Sequence, residues 1–253
     1  MSSPTTPEFR AEHRFYGELA PWWPLISPPA EYAEEAAFAA GLLAADGATT
    51  TVLELGSGGG HVASHLAERF RLTLVDLSEP MLQVSRALNP TATHHQGDMR
   101  SVRLHAQFDA VLIHDAIDYM TTEDDLRAAV ATVLEHCRPG GIAVLVPDNV
   151  TENFEPGTET GGSDAADGRA VRYLSWSTDP DPRDSSYVCE YAFLLREADG
   201  STRVAHDSHL LGLFPRELWL RVLADAGFEA RSVAEVTTED RLPREFFVGR
   251  RPV

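Results

Sequence analysis

Cysteine is nearly absent. Cys137 and Cys189 are the two thiols in 253 residues, without metal-ligand spacing and too few for a disulfide framework. They are expected as buried or half-buried thiols in a reducing cytoplasm. Long apolar runs are missing as well. The longest apolar-leaning stretch, Ala36–Ala45, falls well short of the ~20 residues that cross a bilayer. The opening MSSPTTPEFR has no apolar core of a secretory leader, so a cytoplasmic protein is expected. Basic residues are scarce, 21 Lys and Arg against 39 Asp and Glu, for a net charge of −18. A field of that sign repels nucleic acid and anionic membrane, and neither is expected as a partner. It mildly favours a cationic ligand, although the demands of a soluble surface account for it too. No internal repeat is visible, and the length suits one large domain or a domain with a cap.

What is present is organised around Thr51–His61, TVLELGSGGGH. A short apolar run breaks into Gly56, Ser57, Gly58, Gly59 and Gly60, and Val62, Leu66 and Phe70 then follow at helical spacing. A strand entering a glycine turn and a helix exposes bare backbone and the free N–H groups of a helix start to a ligand. At the carboxyl end of a strand in an open α/β sheet, such a turn is where cofactors bind. A dinucleotide fingerprint needs glycine at the sixth position of G-x-G-x-x-G; His61 stands there instead. Glu54-x-Gly56-x-Gly58-x-Gly60 resembles motif I of the class I S-adenosylmethionine-dependent methyltransferases. Asp76, ending the next apolar run, and Gly97-Asp98 after a third strand signal follow in the order that family uses.

Down the chain, residues 1–7 read as a disordered tail and Glu8–Leu19 as a helix. Next come the proline-broken aromatics around Trp22 and Trp23, which form either a packed plug or a flap over the cofactor. A helix over Ala30–Ala45 leads to the core. Strands at Val52–Leu55, Leu72–Asp76, Ala92–His95, Phe108–Ile113 and Ile142–Val146 alternate with helices at Val62–Phe70, Glu79–Leu88 and Glu123–Cys137, which implies a parallel sheet. Thr151–Gly168, acidic and glycine-rich, reads as a mobile loop. Arg169–Ser177, Tyr187–Leu195 and Thr202–Leu213 alternate with period two and predict an antiparallel insert. Helix Arg216–Ala226 and strands near Phe228–Val236 and Glu245–Val248 close the chain. The expected fold is an α/β class I methyltransferase (Rossmann-like): a seven-stranded, mostly parallel sheet with a β insert and an N-terminal helical lid. The expected divisions are 1–50 (tail and lid), 51–147 (cofactor-binding core), 148–214 (insert) and 215–253 (last helix and strands).

The GDMR and SEPML segments, HDAIDYMTTEDDL, ENFEPG, DSHLLGLF and the REFFVG ending together resemble the N,N-dimethyltransferases of antibiotic aminosugar pathways, the desosamine and mycaminose type. The likeness spans most of Tyr16–Gly249. It implies S-adenosylmethionine as cofactor, with Glu54, Gly56, Ser57, Gly58 and Gly60 around its methionine end. Asp76 would lie on the ribose, Leu77, Asp98 and Met99 on the adenine, and His114 at the strand end nearby. It further implies a TDP-linked aminosugar as substrate, near Tyr16, Trp22, Asp115, Arg172 and Arg244, with Arg244 on the pyrophosphate. Tyr119, Asp118 and His209 become the candidates closest to the reacting amine, and a homodimer is expected. The chain departs from the pattern at Asp148-Asn149, where the family carries a tryptophan pair, and in the WWPLISPP plug.

Alternatives stay open on the residues alone. Tyr119 can cap its strand, Asp115 and Asp118 can be solvated turn carboxylates, and His209 can be a satisfied histidine in the insert. Arg244 can be a surface ion pair of small energetic weight. His61 reads as a surface residue at the helix start. His94, His95 and Asp98 do not converge on a metal, because adjacent histidines on a strand face opposite ways. Other possible activities are O- or N-methylation of another secondary metabolite or a peptide amine and, more remotely, a NAD-dependent oxidoreductase.

Overall fold

The computed structural model describes residues 14–45, 47–239 and 241–253. The proline-rich entry makes only short turns: a 3-10 turn at Ala20–Trp22, the four-residue helix α1 (Trp23–Ile26) and a second 3-10 turn at Pro29–Tyr32. The longer α2 (Ala33–Leu43) follows. The helix expected from Glu8 is therefore not continued through 14–19, which form hydrogen-bonded turns; its first half, residues 8–13, lies outside the described residues. Pro21 and Pro24 explain the fragments, since each lacks the N–H that an extended helix would use.

From residue 51 the alternation is regular: β1 (Thr51–Leu55), α3 (His61–Leu66), β2 (Arg71–Asp76), α4 (Glu79–Leu88), β3 (Thr93–Gln96), β4 (Phe108–His114), α5 (Glu123–His136) and β5 (Cys137–Val146). Ser78 starts α4, its Oγ accepting the Met81 N–H at 3.2 Å, and Pro80 sits in the first turn. Thr122 starts α5 in the same way, ahead of Glu123, Asp124 and Asp125, whose charges suit a helix N-terminus. Arg138-Pro139-Gly140-Gly141, expected as the stop after α5, lies within β5, where Gly140 at φ +74° turns the chain beside a register shift against β4.

The insert is a four-stranded antiparallel sheet in the order β6 (Gly157–Gly161), β7 (Ala170–Thr178), β8 (Ser186–Arg196), β9 (Thr202–Gly212). β6 corrects the expectation of a loop across Thr151–Gly168. It is an edge strand exposed along most of its length, so no buried/exposed alternation marks it in the sequence. Helix α6 (Arg216–Ala226) ends at Gly227, φ +105°, and leads to β10 (Glu229–Ala234) and β11 (Glu245–Arg250).

The main sheet runs β10-β11-β5-β4-β1-β2-β3, with β11 alone antiparallel to its neighbours. Alternate residues of the central strands bury opposite ways. Leu53, Leu55, Val111, Ile113 and Leu145 pack under α5 and α6; Val52, Ala110, Leu112 and Val144 pack under α2 and α3. The chain leaves β1 toward β2 on one side and returns to β4 on the other, opening a crevice at the carboxyl ends where the strand order reverses. The inner face of the insert (Val171, Phe193, Leu195, Ala205) closes on Phe15, Leu19, Trp22 and Ile26, which brings the N-terminal segment and the insert together beside that crevice.

Gly60 ties the glycine turn to α4. Its φ is +74°, and a Cβ there would overlap Ser85 Oγ and Asn89 Nδ2, while Asn89 Nδ2 donates to the Gly60 carbonyl at 2.9 Å. Gly60→Ala is expected to destabilise the protein by about 1–3 kcal/mol, measured as a shift in the urea midpoint at unchanged m-value.

Candidate active site

A cavity of about 360 Å³ opens over the carboxyl ends of β1, β2 and β4 and is roofed by Tyr16, Trp23 and the insert. Its first half is built by the glycine turn. The N–H groups of Gly56 and Ser57 donate to the Val75 carbonyl at 2.7 and 3.0 Å, folding the turn back over β2. Gly56, at φ +74°, could not carry a side chain, because a Cβ would overlap Ala116. Asp76 then receives two backbone donors, Gly58 N–H at 2.7 Å and Ser78 N–H at 2.7 Å, one on each carboxylate oxygen. Burial nonetheless leaves its carboxyl above the usual range. Glu54, in β1, is 2% exposed, and its Oε2 has no hydrogen-bond partner among the described residues. Burial pushes its carboxyl up to about 8. Across the cavity, burial raises Asp98, but its bonds to Arg100 prevail and hold it below the usual range; Arg100 also grips Asp125.

The second half is charged and phenolic. His114, buried at the end of β4, lies between Glu35 (3.0 Å) and Asp115 (3.2 Å). Burial alone would lower its imidazolium, yet the two carboxylates outweigh it and raise it to about 10. Arg244 faces Asp115, Glu35 and Asp148. Asp118 accepts the Asp148 N–H at 2.9 Å on Oδ2, and its Oδ1 has no partner among the described residues. Burial and the Asp148 charge keep it protonated well above the ordinary carboxylate range. A chain of contacts crosses the roof: the Tyr16 and Tyr119 hydroxyls lie 2.7 Å apart, Tyr119 Oη is 2.6 Å from His209 Nδ1, and His209 Nε2 is 3.2 Å from Asp207 Oδ2. Desolvation raises both phenols, so they remain neutral donors.

This architecture has close parallels. Residues 52–141 match a family model described as a methyltransferase domain. A Streptomyces venezuelae relative, dTDP-3-amino-3,4,6-trideoxy-alpha-D-glucopyranose N,N-dimethyltransferase, is 33% identical over 70% of this chain and 75% of its own length. The Streptomyces fradiae dTDP-3-amino-3,6-dideoxy-alpha-D-glucopyranose N,N-dimethyltransferase is 30% identical over 84% of each. The chain belongs to the class I S-adenosylmethionine-dependent methyltransferases, in the aminosugar N,N-dimethyltransferase family. Among solved structures, the amino pentose methyltransferase CalS10 from Micromonospora echinaspora, with S-adenosylmethionine bound, superposes with a TM-score of 0.73 at 31% identity, covering 87% of this chain and 91% of that one.

The residues of this methyltransferase fit that cofactor. Glu54 supplies an unpartnered buried acceptor for an ammonium group, Asp76 a carboxylate fixed by backbone at the end of β2, and Gly56–Gly58 a cradle without side chains. Ser57, Leu77, Asp98 and Met99 line the same half, and His114, Asp115, Asp118, Tyr119 and Tyr16 line the other. Other expected residues fall elsewhere. Gly60 packs on α4 outside the cavity wall. Trp22 is buried under the Arg169 and Arg203 guanidinium groups, and its neighbour Trp23 lines the cavity instead. Arg172 points to the outer face of the insert, where it pairs with Asp164. Arg244 is tied to carboxylates and His209 is sealed behind Tyr119. His61 is buried rather than on the surface; burial lowers its imidazole to about 4, so it stays neutral, packed against Trp23 and Tyr32. Asp148, Tyr173, Tyr191 and Asp207 were missed. Tyr191 is legible on the alternating inner face of β8, and Asp207, two residues before His209 on β9, shares the face of that histidine.

Glu54 ionises near pH 8 in the folded chain and near the ordinary ~4.3 when unfolded. The ligand-free protein should therefore lose stability as pH rises from about 4 to 8. Glu54→Gln is expected to remove that loss, raising ligand-free stability at pH 8 by on the order of 1–3 kcal/mol while weakening S-adenosylhomocysteine binding at least about tenfold. Calorimetric melting across pH and isothermal titration check both halves.

Proposed function

We propose that this methyltransferase N-methylates the amine of a nucleotide-linked aminosugar. The observation that carries the reading is the single cavity that joins the Glu54/Asp76 half to a half walled by Tyr16, Tyr119, Tyr173 and Tyr191, with Arg244 paired to the lining carboxylates Asp115 and Asp148. The relatives that are named for N,N-dimethylation of dTDP-aminosugars support it. The cofactor, when bound, supplies a methyl group on a positively charged sulfur. The protein's part is positioning, which can contribute on the order of 7–11 kcal/mol to such a reaction. Glu54 and Asp76 hold the two polar ends of the cofactor, while Tyr16 and Tyr119 close over the place where the amine must lie. An amine attacks only when neutral, and the phenolic wall disfavours its charged form by desolvation. The Tyr119 hydroxyl can accept a hydrogen bond from the amine while donating its own to His209 Nδ1, with Asp207 facing the opposite ring nitrogen. Arg244, paired with Asp115, Glu35 and Asp148, is the guanidinium that an anionic handle on the acceptor would have to win from those carboxylates.

The test is methyl transfer followed by mass spectrometry over three acceptors: a dTDP-linked aminosugar, the free aminosugar and a peptide amine. The nucleotide-linked acceptor is expected to be preferred. Arg244→Ala should raise its KM about 10–100-fold with little effect on the free sugar. Equal use of free and nucleotide-linked sugar by the unaltered protein would overturn the reading.

We further propose a homodimer joined through the outer face of the insert. Leu174, Trp176, Leu194 and Val204, 44–72% exposed, form an apolar stripe there, with Leu194 paired directly to Val204. The occupant proposed is the same stripe on a second copy of the chain, which a two-fold dimer would place against itself. Trp176→Glu should yield a monomer by light scattering with an unchanged melting profile; an unaltered mass would refute this interface.

A further inference from the structure

Arg244 is surrounded by its own protein's acids. Asp115 meets Nη1, Glu35 Oε1 lies 3.2 Å from Nε, and Asp148 Oδ1 lies 3.0 Å from Nη2. A guanidinium compensated in this way offers little net charge to an incoming anion until one carboxylate withdraws. The three are not equivalent. Glu35, on α2, is buried and also held by His114 Nε2; Asp115, following β4, is shared with His114 Nδ1. Asp148, on the loop after β5, has Arg244 as its one ion pair among the described residues. Its side chain is 39% exposed, the most open of the three, and it lines the cavity.

We propose that Asp148 determines acceptor specificity by competing with the acceptor's diphosphate for the Nη2 edge of Arg244, holding that edge in the empty enzyme and yielding it on binding. This rests on the reading that the acceptor is nucleotide-linked. An acceptor without an anionic handle cannot displace Asp148 and gains nothing from Arg244, so the competition selects for a strong, bidentate anion.

The surroundings also say how Asp148 is released. Asp115, Asp118 and Glu35 face it with carboxyl groups, and Arg244 and His114 with positive charge. Desolvation and the Asp115 charge push its carboxyl up to about 7. His114 stays positive across that range, and burial with the Asp148 charge favours the protonated form of Asp118. Uptake of one proton by Asp148 therefore frees Nη2, and diphosphate affinity should fall as pH rises through about 7.

The experiment is isothermal titration of dTDP-glucose, which carries no titrating amine, into protein saturated with S-adenosylhomocysteine, at pH 6.0 and 8.5. The unaltered protein is expected to bind about tenfold more weakly at the higher pH. Asp148→Asn should bind equally at both values, about tenfold more tightly than the unaltered protein at pH 8.5, with S-adenosylhomocysteine affinity held within about twofold as proof of an intact fold. Arg244→Ala should lose affinity at both. If Arg244→Ala weakens binding but Asp148→Asn does not tighten it, the competition is wrong and the nucleotide-linked reading survives. If no protein binds the probe, or Arg244→Ala binds it normally, both fall together.

Discussion

Two backbone N–H groups converging on one carboxylate hold this site in shape. Gly58 donates to one oxygen of Asp76 and Ser78 to the other, so the glycine turn after β1 and the entry to α4 are fixed by the same side chain. A backbone turn with several positive φ values has few contacts of its own to define it. Asp76 provides the definition and still presents its carboxylate to the cavity. The N-cap Ser78 extends the arrangement: its hydroxyl donates to the Tyr16 carbonyl at 2.6 Å, attaching the N-terminal segment to the start of α4.

The cavity is otherwise a collection of acids in want of partners. Glu54 and Asp118 each bury an oxygen without a hydrogen-bond partner among the described residues, and Asp148 shares one guanidinium with two other carboxylates. Buried carboxylates left this way raise their pKa or destabilise the fold. Both outcomes select for ligands that bring positive charge or displace an acid. A sulfonium cofactor with an ammonium group answers the first need. The overall charge of −18 does not itself mark this need, since burial favours the neutral forms of Glu54, Asp118 and Asp148; a bound cation favours their ionised forms.

How much of this was legible depended on whether a feature was local. The turn at Gly56–Gly60, Asp76 at a strand end, and the capped helices α4 and α6 come from short-range patterns; of the expected turn glycines, Gly56 and Gly58 line the cavity and Gly60 packs on α4 instead. Strand β6 could not, because an edge strand exposed on both faces carries no alternation. The N-terminal helix was expected from apolar spacing around Phe15 and Leu19, but those side chains serve a tertiary contact with β7, β8 and β9 rather than a helix face. Choosing Trp22 over Trp23 fails for a related reason: neighbours in a tight turn point to different partners, and only packing decides which meets the cavity. Glu35 is legible in no motif, since it acquires its role by meeting Arg244, far along the chain; Asp207 stands in DSHLLGLF, but its bond to the Phe15 N–H is equally distant.

The N-terminal segment gathers these distant parts. Phe15 N–H donates to Asp207 Oδ2 at 2.8 Å, the same oxygen that faces His209. One residue on, the Tyr16 carbonyl takes the Ser78 hydroxyl and its phenol meets Tyr119. Two consecutive residues thus touch the insert at Asp207, the start of α4 at Ser78 beside Asp76, and the Tyr119 phenol in the cavity wall. Because these bonds belong to different elements, the place of the segment depends on both the main sheet and the insert. The roof over the cavity is therefore built from both halves, and a displacement of either half reaches Tyr16 directly.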